Sequence, residues 1–157
     1  MYQRPIDSFS LCEYLEISEE FSVTENLISV VDDDESVRRT TTLLIESFGF
    51  RAAAFESAET FLRSGHLQDT SCLVVDVQMP GMNGLQLQSH LAAAGCSIPI
   101  IFITAYESKD SRQRAMQAGA AGFLGKPFGD NQLLQTIRSA LRSFHRDDSE
   151  GKLRSEI

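Results

Sequence analysis

Apolar residues in this chain gather in five short blocks: Leu27–Val31, Phe50–Phe55, Cys72–Val75, Ile98–Ile103 and Ala121–Leu124. Blocks this short, bounded by turn-forming residues, predict strands buried on both faces. Ile98–Ile103 is the most apolar of them and Phe50–Phe55 the weakest. Between the blocks the period changes. Val37, Thr41, Leu44, Ile45 and Phe48 recur at helical spacing, and so do Leu133, Leu134, Ile137, Leu141 and Phe144. Leu85, Leu87, Leu91 and the alanines at 92–94 predict another helix. Phe61 and Leu62 turn inward on a short one, and Ser108–Ala118 is polar but helix-forming. Asp34, Ser57 and Asp130 stand where helices need caps, with Glu35 in a first turn, because side-chain oxygens there satisfy free backbone N–H groups. Gly49, Gly65, Gly95 and Gly119 mark the stops. Strand and helix alternate five times, which predicts an α/β fold with a parallel sheet, helices on both faces and right-handed crossovers.

The ends fall outside this alternation. Residues 1–25 read as an N-terminal extension without a clear period, although Leu11, Tyr14, Leu15 and Ser18 would share a face in a short helix. A start codon at Val23 would make the first 22 residues a start-site artefact, which N-terminal mass analysis of protein made from the native gene decides. The domain spans 26–144, and residues 145–157 read as a charged, frayed tail. At 157 residues and 42% hydrophobic, the chain is sized for one domain with a full core. A net charge of −8 argues against direct nucleic-acid binding, which needs clustered lysine and arginine. Cys12, Cys72 and Cys96 are odd in number and lack metal-type spacing, which fits a reducing cytoplasm. No apolar run approaches the roughly 18 residues of a membrane span. Asp7, Glu13, Glu16 and Glu19 occupy the region where a signal peptide needs a basic start and an apolar core.

The chemistry sits at the C-terminal ends of the expected strands, where open α/β sheets place their sites. Asp32 and Asp33 follow the first strand, Asp76 the third, Thr104 the fourth and Lys126 the fifth. Taken singly, each has a plain structural reading: a solvated charge run, a turn cap, a turn residue, an exposed lysine. Together they are five suitable residues on one sheet edge. If the strand order is 2-1-3-4-5, strands one and three are neighbours and the three carboxylates meet. Carboxylates so placed repel by about 1 to 4 kcal/mol per pair. A cation relieves this, and hard oxygen donors suit Mg²⁺, or Mn²⁺ in its place, better than zinc. Lys126 and Thr104 would hold the oxygens of a phosphoryl group, leaving Asp76 as the nucleophile that forms an aspartyl phosphate.

The segments VVDDDESVR, VVDVQMPGMNG, FITA and GKPF follow one another at appropriate separations. Over roughly Asn26 to Phe144 the sequence resembles the receiver domains of bacterial two-component response regulators. Around Asp76 and GKPF it is most similar to the subfamily of nitrogen-fixation regulators, which carry LuxR-type DNA-binding outputs. The resemblance implies the flavodoxin-like (βα)5 fold, a doubly wound parallel sheet of strand order 2-1-3-4-5, and that order comes with the family rather than from periodicity. It implies Asp76 as phosphoacceptor, Asp33 as a direct Mg²⁺ ligand, Asp32 as a ligand mainly through water, and Gln78 as a ligand through its backbone carbonyl. It further implies that Thr104 and Lys126 contact the phosphoryl group and that the Lys126–Pro127 bond is cis. Phe123 falls where the family carries an aromatic that changes rotamer with Thr104. Phosphorylation is then expected to draw Thr104 inward, with Phe123 following, and to remodel the face of the fourth helix, fifth strand and fifth helix. That face is the expected surface for a homodimer or a downstream protein. The phosphodonor is expected to be a sensor histidine kinase or a phosphotransfer protein.

One departure from the subfamily is the output domain, for which the tail is too short, since such a unit needs roughly 60 residues. The expectation is a single-domain regulator acting on a partner protein, with a fragment of a DNA-binding regulator as the alternative. It is not expected to be an enzyme beyond catalysing its own aspartyl phosphorylation and dephosphorylation. A Mg²⁺-dependent phosphatase with an aspartate nucleophile would need a second carboxylate as acid/base and a substrate cap, and neither is evident. A receiver-like module without phosphorylation would lack an acidic or lysine position, and all are present. Gly119–Lys126 fails as a P-loop because Ala120 and Pro127 occupy required positions. His66, His90 and His145 are scattered and read as solvated. Gln78 and Tyr106, each two residues after a site residue, should flank the path of a hydrolytic water, with Tyr106 shielding the acyl phosphate.

Overall fold

A computed structural model of the protein describes residues 26–155, with side chains described as far as residue 143. The expectations for residues 1–25, for the Phe144 side chain and for His145 lie outside the described residues. The strands are β1 (Leu27–Val31), β2 (Arg51–Phe55), β3 (Thr70–Asp76), β4 (Ile100–Thr104) and β5 (Gly122–Gly125). They form one parallel sheet in the order β2-β1-β3-β4-β5, the flavodoxin-like arrangement. The helices are α1 (Glu35–Ser47), α2 (Ala58–Arg63), α3 (Gly84–Ala93), α4 (Lys109–Gln117) and α5 (Asp130–Ser155).

The unbroken apolar blocks follow from this wrapping. Cys72 and Val74 on β3 join a core with Ile45 of α1 and Leu133 and Ile137 of α5. Leu73 and Val75, pointing the other way, pack with Phe61 of α2, Leu87 and Leu91 of α3, and Ala115 of α4. Both faces are therefore covered, and every residue of β1 and β4 is buried. Burial of a side chain such as Phe61, Phe102 or Leu73 contributes about 1.5–3 kcal/mol, so the central strands are held firmly. Cys72 is part of this interior, and burial pushes its thiol up to about 12.

Local chemistry set most element ends as expected. Asp34 caps α1 by accepting the Val37 N–H, and Ser57 caps α2 by accepting that of Thr60. Three ends differ. β3 starts at Thr70, before the apolar block, because the Thr70 hydroxyl is satisfied in the interior by Ser29 Oγ and the His66 carbonyl, both at 2.7 Å. β4 starts at Ile100, after Pro99, which has no N–H for the ladder. Asp130 is the first residue of α5 rather than its cap: Gly129 precedes it, its carbonyl accepting the Leu133 N–H at 3.1 Å, and the Asp130 carboxylate gains from the helix dipole one position later. The backbone of α5 continues to Ser155, past the domain bound at residue 144, with no proline in the stretch to interrupt it.

Register places the site. Val31 lies opposite Val75, Asp76 opposite Ile103, and Thr104 opposite Gly125. The C-terminal ends of four strands are thus level, and the loops that leave them share one edge. Among the described residues no helix is long and apolar enough to cross a membrane.

Candidate functional site

Asp32 leaves β1 fully buried, and every polar group it offers is engaged. Its N–H donates to the Phe55 carbonyl at 3.1 Å, Oδ1 accepts the Asp34 N–H at 2.9 Å, and its carbonyl accepts Arg38 Nη1 at 2.8 Å. Asp76 ends β3, 6% exposed, with Oδ1 accepting the Gln78 N–H at 3.1 Å. Lys126 follows β5, tied back by its N–H to the Thr104 carbonyl at 2.7 Å, and its peptide bond to Pro127 is cis. Its ammonium reaches between the two acids, 3.0 Å from Asp32 Oδ2 and 3.2 Å from Asp76 Oδ2. Gly84 lets α3 start against this edge, since a Cβ there would meet the Asp76 carbonyl at 2.5 Å.

One oxygen from each of Asp32, Asp33 and Asp76 lies within 4.8 Å of the others, with Asp33 exposed and the other two buried. Burial, and then the Asp32 charge, hold the Asp76 carboxyl above the usual carboxylate range against the Gln78 amide and Lys126. Burial works to lower the Lys126 ammonium, but the Asp32 hydrogen bond and charge, joined by Asp76, outweigh it and hold it above an ordinary lysine. One cation facing three carboxylates leaves the pocket negative. All-oxygen donors, open toward Asp33 and crowded enough to repel, suit a hard divalent cation such as Mg²⁺.

Among the described residues, Gln78 reaches the acids through its N–H to Asp76, whereas Thr104, Tyr106 and Phe123 make no hydrogen bond to them. Thr104 is buried, and its Oγ1 accepts the Tyr106 N–H at 3.1 Å and donates to the Tyr106 carbonyl at 3.2 Å. The Tyr106 side chain is 74% exposed, and Gln78 is exposed too. Phe123 is buried beside Phe102, ring centroids 6.2 Å apart, with the Arg112 guanidinium 5.8 Å from its ring centre. His66 and His90 are exposed. Two contributors escaped the sequence reading. Arg38 lay inside the VVDDDESVR segment without a role, and its spacing one turn into α1 was the available signal. Glu59, on the short α2, accepts the Met82 N–H at 2.9 Å, and only the fold brings these two together.

The response regulator receiver domain family matches residues 28–138. Nodulation protein W of Bradyrhizobium diazoefficiens is 45% identical over 117 residues, 74% of this chain and 52% of that protein. Response regulator protein TmoT of Ectopseudomonas mendocina is 42% identical, over 75% of this chain and 54% of its own. Transcriptional regulatory protein FixJ of Azorhizobium caulinodans is 36% identical, over 83% and 62%. The chain spans between about half and three fifths of the length of these curated relatives. The crystal structure of FixJ-N matches with a TM-score of 0.69 at 33% identity, over 76% of this chain and 95% of that one. Response regulator StyR gives 0.74 at 41% identity, over 85% and 68%. With the family match running from β1 into α5 of a sheet in this order, the chain belongs to the response regulator receiver domain family.

Proposed function

We infer that the protein is a phosphoacceptor: Asp76 takes a phosphoryl group from a phosphohistidine of a sensor kinase or phosphotransfer protein. The observation that carries this is the Lys126 ammonium bridging Asp32 and Asp76 at 3.0 and 3.2 Å beside the third carboxylate. An Asp76 carboxylate oxygen bonds to phosphorus as the donor P–N bond breaks, its electron pair leaving with the imidazole. Lys126 supplies charge to the incoming phosphoryl oxygens, and Thr104 offers its hydroxyl, which accepts the Tyr106 N–H at 3.1 Å and donates over a long 3.2 Å to the Tyr106 carbonyl. Asp32, Asp33, Asp76 and the Gln78 carbonyl would hold Mg²⁺, or Mn²⁺, which when bound offsets the negative charge of pocket and phosphoryl group.

Release of Tyr106 by Thr104 would then bias Phe123 and the surface of α4, β5 and α5, the face offered to a downstream protein or a second copy. Among the described residues the site holds no further acid/base, and the reading is a self-modifying switch in the cytoplasm, not an enzyme for outside substrates. Intact mass after incubation with acetyl phosphate and Mg²⁺ tests it. One added phosphoryl group is expected on the wild type and none on Asp76→Ala, and equal labelling of both would sink the proposal.

A second reading concerns the whole molecule. Relatives that this chain matches over only part of their length include a protein named as a transcriptional regulator. On that ground the chain would be the receiver portion of a DNA-binding regulator. Sequencing the transcript through the 3′ end of the coding region decides between a lone receiver and such a fragment.

A further inference from the structure

The loop from Val77 to Asn83 connects the phosphoacceptor strand to α3. Its two ends are fixed: the Val77 N–H donates to the Ile103 carbonyl at 3.0 Å, and Asn83 caps α3 in a reciprocal pair with Gln86. Between them, residues 79–82 have one hydrogen bond to another element among the described residues. It is the Met82 N–H to Glu59 Oε1, 2.9 Å, across 23 residues of sequence. Gly81 is shaped to that contact. Its φ of +76° is one that L side chains rarely adopt, and a Cβ there would sit 3.0 Å from Glu59 Oε1. Glu59 itself is anchored early in α2, which Ser57 caps. The Met82 and Glu59 amides hold its carboxyl below the usual range, so it is an anionic acceptor at neutral pH.

The consequence lies at the other end of the loop. Gln78 N–H orients Asp76 through Oδ1 at 3.1 Å, and Gln78 is exposed with little packing of its own. Its neighbours Val77 and Met79 are buried in the core, and beyond Met79 the loop is held to another element by the Met82–Glu59 bond. We propose that Glu59 is a positioning residue: it clamps the loop after Asp76, setting that carboxylate and the adjoining backbone for the cation and the phosphoryl donor. This rests on the phosphoacceptor reading above. A charge-assisted bond from the first turn of a capped helix fixes a loop without touching the reacting atoms, the way outer partners orient ligands elsewhere.

The test uses the full chain in two measurements. In metal-free protein, hydrogen exchange at the Met82 amide should rise in Glu59→Ala and stay near wild type in Glu59→Gln, which keeps the acceptor. With acetyl phosphate, the Mg²⁺ concentration giving half-maximal labelling of Asp76 should rise about tenfold in Glu59→Ala, while the rate at saturating Mg²⁺ and the Glu59→Gln values stay within about twofold. Glu59→Asp, one methylene short but still charged, should behave as Glu59→Ala and serves if the alanine variant does not fold. Unchanged Met82 exchange, an unchanged Mg²⁺ requirement, or a fall only in the saturating rate would each overturn the positioning role. A wild type that takes no label overturns the phosphoacceptor reading and the positioning role with it, and the exchange measurement still decides the clamp by itself.

Discussion

The two edges of the sheet are built from opposite materials. At the C-terminal edge, buried Asp32 and Asp76 are drawn onto one lysine, and the Asp34 and Gln78 amides hold their other oxygens. At the N-terminal edge lies a groove of about 740 Å³, bordered by Gly95, Ser97, Gly119, Ser139 and the buried Gln88, whose Nε2 donates to the Ala115 carbonyl at 3.1 Å. The groove is lined by neutral residues, and the titratable cluster stands at the opposite end. Small, uncharged residues can pack a helix-to-strand turn with little electrostatic cost, whereas like charges are kept together only by a counter-charge or a ligand.

The comparison can be broken most sharply at Lys126. Lys126→Met should slow acetyl phosphate labelling of Asp76 by about 100-fold or more, the usual cost of a lost charge-stabilising donor. Ser139→Ala in the neutral groove should leave the labelling rate unchanged, and equal effects would erase the distinction between the edges. Next in size is Thr70→Val, near the neutral edge. It strands the Ser29 hydroxyl and removes the bond to the His66 carbonyl, so urea unfolding should show a loss of about 1–3 kcal/mol. Because no charge is involved, that loss should be the same at pH 5 and pH 8 and with or without Mg²⁺.

Asp76 should behave the other way. Its folded carboxyl is held above the unfolded value, so the fold binds that proton more tightly than the unfolded chain does. Its contribution to stability is therefore present at acid pH and is lost as pH rises through the raised value. Asp76→Asn should raise metal-free stability at neutral pH by on the order of 1 kcal/mol and have little effect at acid pH, where the wild type is already protonated. Urea midpoints in chelator across that range check the sign. Tyr106→Ala should shorten the half-life of the aspartyl phosphate severalfold if the exposed ring shields it, and an unchanged half-life removes that role. Smallest of all, Cys96→Ser should shift stability by less than about 0.5 kcal/mol and leave labelling alone.

Much of the fold was legible because it is written in local terms. The apolar blocks became strands, and Asp34 and Ser57 capped the helices they precede, since cap chemistry acts over three residues. Asp130 missed by one position for the same reason, a glycine and an acid competing for one cap. Five polar residues ending apolar runs were legible, and of these the structure brings Asp32, Asp33, Asp76 and Lys126 together. Arg38 and Glu59 were not legible, because a charged residue on an amphipathic helix looks solvated until its partner is known.

By itself the sequence determined where chain segments are extended or helical and which side chains stand at the strand ends, because these follow from short unbroken apolar runs and from a period of 3.6 residues. The tertiary structure alone decided that Lys126 is shared between Asp32 and Asp76, that Thr104 faces Tyr106 instead, and that Glu59 grips the loop after Asp76. Those contacts span 94, 50 and 23 residues for the lysine pairs and the clamp, and only two for Thr104. The long ones exist only once strand order and register bring distant ends to one edge. The short one turns on a rotamer that local sequence leaves free.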